Sequence, residues 1–117
     1  MTDNSSPKLE QIAVNTITNQ IQIITISNII YLRSDNRKTI INLKNSKEVF
    51  ASKNIGIYEA LLKNNGFFRV HKSYIVNLKY LICINKNQDG HYCVLFNDKI
   101  IPISVRKYRL VKERLEY

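Results

Sequence analysis

Three short strings in this chain combine cations with other hydrogen-bond donors: Arg37-Lys38, His71-Lys72-Ser73 and Ser104-Val105-Arg106-Lys107. An arginine presents a planar fork that can grip two acceptors at once, and a lysine reaches the same acceptors as a point charge. Serine hydroxyls suit phosphate oxygens. Together these groups could meet phosphates and the edges of bases. A charged string by itself is usually a solvated loop. What sets these three apart is that each falls at a turn or at the end of an element.

His71 and Ser73, two residues apart, also raise nucleophilic catalysis. No acid stands nearby in the sequence, no glycine elbow surrounds Ser73, and no oxyanion loop is visible. The reading is therefore of no catalytic residues, no enzyme and no cofactor. His71 has an alternative role as a neutral strand-end residue that hydrogen-bonds the turn backbone. Asn77 reads as structural, its short amide satisfying backbone groups at a tight turn. Phe67, Phe68, Tyr74 and Tyr31 read as core rather than as platforms for stacked bases.

Metal and disulfide chemistry are also disfavoured. Cys83 and Cys93 flank Asn87-Gln88-Asp89-Gly90, and Asp-Gly is a strong two-residue hairpin signal. With Asp89-Gly90 as the loop, Cys83 faces Phe96 and Cys93 faces Lys86. That register puts the sulfurs three rungs apart, too far for a bridge. Both are expected as reduced strand residues. Two cysteines and two unsuitably spaced histidines do not make a zinc site.

The 117 residues suffice for one domain with a real core, and 44% are hydrophobic. No apolar run approaches a membrane span, and Met1–Pro7 lacks the form of a signal peptide, so a cytoplasmic location without membrane contact is the expectation. The net charge is +9 and the pI near 9.7. It is unevenly placed: residues 1–30 carry Lys8 against Asp3 and Glu10, whereas residues 31–117 carry 17 basic and 7 acidic residues. A basic excess of this kind fits a polyanionic partner.

The elements that must position the three strings can be read from apolar periodicity. Residues 1–9 are expected as a flexible lead and residues 10–117 as the domain. Strands are predicted at Gln11–Thr16, Gln20–Thr25, Ile29–Arg33, Thr39–Lys44 and Lys47–Ala51, with 34–38 as a polar loop. A helix follows, capped by Asn54, with Ile55, Tyr58 and Leu62 on one face and Asn65-Gly66 as its stop. Strands return at Phe67–His71, Tyr74–Asn77, Leu81–Lys86, His91–Phe96 and Lys99–Ile103. A second helix begins at the cap Ser104, with Tyr108, Val111 and Leu115 as its apolar stripe. The fold class is mainly β, with several packed antiparallel sheets and two short helices in a single domain.

Over roughly Ile12 to Leu115 the chain resembles the LytTR family of bacterial DNA-binding domains, typified by response-regulator output domains. The resemblance is carried by Ile29-Ile30-Tyr31-Leu32, by Phe68-Arg69-Val70-His71-Lys72-Ser73-Tyr74-Ile75-Val76-Asn77, and by Ile101-Pro102-Ile103-Ser104-Val105-Arg106. It implies a mainly β fold whose loops enter successive major grooves of duplex DNA and contact the phosphates between. By position, Arg37 or Lys38, Lys72 and Arg106 would read bases, and His71, Ser73, Ser104 and Lys107 would assist at phosphates. The family often has Arg where this chain has Lys72, which implies a less rigid contact and altered base preference. The resemblance further implies a homodimer on DNA and an upstream receiver or sensor domain, whereas here only a short lead precedes the first strand.

The leading expectation is thus a sequence-specific transcriptional regulator that binds duplex DNA. The rival is a β-rich protein-interaction module with a nonspecific basic surface.

Overall fold

The computed structural model describes residues 8–116. The expected flexible lead over residues 1–9 lies outside the described residues for all but Lys8 and Leu9. Ten strands and two helices form in the order β1 (Gln11–Asn15), β2 (Ile21–Thr25), β3 (Ile29–Asp35), β4 (Lys38–Leu43), β5 (Glu48–Ala51), α1 (Ile55–Leu62), β6 (Phe67–His71), β7 (Tyr74–Asn77), β8 (Leu81–Asn87), β9 (Gly90–Leu95), β10 (Ile100–Pro102) and α2 (Val105–Leu115). The fold is mainly β, as expected.

A five-stranded sheet in the order β5-β4-β3-β7-β6 lies at the centre. Every pairing is antiparallel. One face carries Leu32, Ile41, Phe67 and Ile75, which pack with Ile12, Val14 and Ile24 of the β1–β2 hairpin and with Ile55, Tyr58 and Leu62 of α1. The other face carries Ile30, Tyr31, Val70 and Val76 against Cys93, Leu95 and Ile101 of the β10-β9-β8 sheet and Val111 of α2. Strand residues alternate between faces, and β3, β6 and β7 each feed both cores. A register shift between Ile29 and Tyr31 lets Ile30 and Tyr31 share one face although they are adjacent in sequence.

The helices begin where their caps place them. Asn54 Oδ1 accepts from the Gly56 amide at 2.9 Å, and Gly66 follows the helical stretch with φ of 80°. Ser104 Oγ accepts from the Lys107 amide at 3.2 Å, opening α2. The apolar stripe of α2 stops earlier than expected. Val111 is buried and Tyr108 packs on the core, but Leu115, the last residue of α2, is exposed.

Two expectations about turns are corrected. Residues 34–38 are not a five-residue loop. β3 and β4 stay paired out to Asp35 and Lys38, leaving Asn36-Arg37 as a two-residue turn with φ of 52° and 70°. Both positive angles mark the type I′ geometry that matches strand twist. The β8–β9 turn is Gln88-Asp89 rather than Asp89-Gly90. Asn87 Oδ1 accepts from the Asp89 amide at 2.8 Å and sets the turn one residue early. With a further shift between Leu81 and Cys83, Cys83 faces Val94 and Cys93 faces Ile84. The cysteines therefore sit on neighbouring rungs, not three apart, and point to opposite faces. Both are free thiols, Cys83 exposed and Cys93 buried. Burial pushes the Cys93 thiol up to about 12.

Candidate nucleic-acid interface

The antiparallel order of the central sheet brings two of the three cationic strings to one end. β3 ends at Asp35 beside the start of β7, with Arg33 opposite Tyr74. The Ser34 amide donates to the Ser73 carbonyl at 2.8 Å. The Asn36-Arg37 turn and the Lys72-Ser73 turn therefore project from the same edge, with centres two strand spacings apart, roughly 10 Å. The third string is tied to this edge by the Ser104 amide, which donates to the Val70 carbonyl at 2.9 Å. Val70 lies one residue before His71, so α2 starts beside the β6–β7 tip.

His71, Lys72, Ser104, Arg106 and Lys107 line one concave surface of about 550 Å³, together with Glu59, Arg69 and Val105. Arg37 and Lys38 do not line it. Lys38 instead borders a cleft with Thr16, Asn19 and Ser52, where the β1–β2 turn meets β5. Among the described residues, the side chains of Arg37, Lys38, Lys72 and Arg106 enter no ion pair and no hydrogen bond. Lys107 is differently held. Its Nζ sits 5.8 Å from the centre of the Phe68 ring, which Arg114 also approaches at 5.9 Å.

His71 takes the second of its two expected roles in the free protein. Its Nδ1 accepts from the Ser73 amide at 3.1 Å. The neutral ring therefore carries its proton on Nε2. Burial lowers the His71 pKa, and the Lys72 ammonium lowers it further. Ser73 contributes backbone groups on both sides of the tip, its amide to His71 and its carbonyl to Ser34. Asn77 is structural, as read: its buried amide donates to the Ile29 carbonyl at 2.9 Å and accepts from the Lys79 amide at 3.1 Å. Tyr31 and Phe67 are buried, while Phe68 and Tyr74 pack against the second core.

Across this scaffold, the family model of the LytTr DNA-binding domain matches residues 19–116. The chain belongs to the LytTR family. Among solved structures, this LytTR chain is similar to the LytTr DNA-binding domain of a protein described as a methyl-accepting/DNA response regulator from Bacillus cereus. That match has a TM-score of 0.78 at 20% identity and covers 93% of this chain and 99% of the other. No curated protein matches. Among the described residues, no helix is long and apolar enough to cross a membrane, and no three candidate ligands gather to hold a metal ion.

One residue of this LytTR domain that reading the sequence alone misses is Arg69. Its Nη1 pairs with Glu59 Oε1 of α1 at 2.9 Å, and its Nη2 donates to the Lys72 carbonyl at 2.6 Å. The guanidinium thus ties the β6–β7 tip to α1. Arg69 is part of the motif that carries the family resemblance. No local signal marks its partner, because Glu59 is ten residues away on another element.

Proposed function

We propose that this LytTR domain is a sequence-specific regulator of transcription that reads duplex DNA without catalysing a reaction. Arg37 (with Lys38), Lys72 and Arg106 contact base edges, and His71, Ser73, Ser104 and Lys107 contact phosphates. The observation that carries the reading is the set of uncommitted cations at one end of a stiff sheet, held in line by the Ser34–Ser73 and Ser104–Val70 hydrogen bonds. Arg37 has priority over Lys38 as the reader, because it occupies the turn itself and Lys38 is the first residue of β4. Phosphate contacts supply most of the affinity, and the tips supply sequence choice. Two copies would occupy neighbouring half-sites in the cytoplasm, under the control of a receiver or sensor domain or protein.

The test is selection of bound fragments from random duplex DNA, followed by titration of the winner, of an unrelated duplex, of RNA and of heparin at several salt concentrations. A shared sequence element and tighter binding to it support the proposal. Equal, sequence-blind retention of all four polyanions rejects it. The protein-interaction reading has one observation in its favour: no charged residue occurs from Gln11 to Leu32, and Ile21 and Ile23 of β2 are exposed there. That surface lies apart from the concave basic face, so the two readings predict different sensitive residues.

A further inference from the structure

Val105 is 93% exposed, more than any other large apolar side chain among the described residues. Single exposed apolar residues are ordinary on a protein surface. The position of this one is not neutral, however. Val105 is the first residue of α2 and lines the concave surface with His71, Lys72 and Arg106. A β-branched residue gains nothing for the helix there, since it gives up rotamer freedom and brings no charge to the helix dipole. Nor does it belong to either buried core.

What it does bring is two methyl groups on a stiff side chain with one preferred rotamer. The frame beneath it is fixed by the Ser104 amide on the Val70 carbonyl at 2.9 Å and by the Ser104 Oγ cap at 3.2 Å. Its neighbours toward solvent are cations, which attract phosphates and acceptor-bearing base edges. Among the base edges of a major groove, the apolar group is the C5-methyl of thymine. We infer that Val105 is a specificity-determining residue, reading a thymine C5-methyl next to the base pair that Arg106 contacts. This inference rests on the duplex-DNA reading above.

The experiment uses the whole chain and the duplex selected from random DNA. Each thymine is replaced in turn by deoxyuridine, which lacks only the C5-methyl, and Kd is measured for the wild type and for Val105→Ala. At one or two positions the wild type should lose about three- to five-fold in affinity, the worth of burying one methyl group. Val105→Ala should lose a similar factor on the thymine duplex and nothing more at those uridines. Its salt dependence should match the wild type, since no charge is removed.

Indifference of the wild type to every uridine overturns the inference while leaving DNA recognition intact. Continued discrimination between thymine and uridine by Val105→Ala at those positions overturns it too. Failure to select any duplex overturns the DNA reading itself, and the role of Val105 with it.

Discussion

The Ser34 amide and the Ser73 carbonyl share a hydrogen bond of 2.8 Å that joins two hairpin tips into one edge. Because both groups belong to the backbone, this tie between the tips that carry Arg37 and Lys72 does not depend on which side chains occupy them.

Arg106 should act through sequence rather than through charge alone. Arg106→Ala is expected to weaken binding to a selected duplex by ~1–3 kcal/mol and to change binding to random DNA little. Fluorescence anisotropy on the two duplexes checks this. An equal loss on both would move Arg106 to the backbone-contacting set.

Arg69 should act through the tip it braces. Arg69→Lys keeps the charge but loses the fork that spans Glu59 and the Lys72 carbonyl. Binding to the selected duplex is expected to fall several-fold, about 1 kcal/mol, with an unchanged salt slope. Amide exchange at Ser73 should speed up in the free protein. In Arg69→Ala, which removes the charge, a salt slope lowered by ~1 would instead make Arg69 a phosphate contact.

His71 links pH to stability with a definite sign. Its folded pKa lies below the ordinary value of 6.5, so its contribution is present above 6.5 and is lost as pH falls through the folded pKa. Protonation of Nδ1 also removes the acceptor for the Ser73 amide. The thermal stability of the wild type should therefore fall on acidification below pH 6.5 relative to His71→Asn, which retains an acceptor without titrating. Nearby phosphates would favour the charged ring, so DNA binding should raise the His71 pKa, which NMR titration can follow.

The two helix caps offer an internal control. Asn54→Ala and Ser104→Ala each remove one cap hydrogen bond and should each cost about 1 kcal/mol of stability. Only Ser104→Ala is expected to weaken DNA binding as well, since its helix carries Arg106 and Lys107. Parallel denaturation and binding curves for the two variants decide the point. Equal DNA affinity in both would confine Ser104 to capping.

Much of this layout is legible residue by residue. Asn54 and Gly66 bound α1, Ser104 starts α2, and the alternation of β6 and β7 around His71-Lys72-Ser73 gives the tip, because each of these signals is local. The turn at Asn36-Arg37 is hidden, since an arginine is a poor cue for the positive φ it adopts. The register of β8 and β9 depends on the Asn87 side chain competing with the Asp-Gly signal. Leu115 continues the helical period of Tyr108 and Val111 yet is exposed at the end of α2, which periodicity alone does not reveal. The Arg69–Glu59 pair exists only once two elements are docked.

Arg37 sits at φ of 70° in a turn where glycine would be the comfortable occupant. Holding an L side chain there costs the fold on the order of 1 kcal/mol, less what glycine's freer unfolded chain would take back. Arg37→Gly should consequently raise Tm and weaken recognition of the selected duplex at once, as melting and binding curves would show. Variants chosen only for heat tolerance would drift toward glycine at this turn, and so toward a sturdier protein without the cation that the tip now carries.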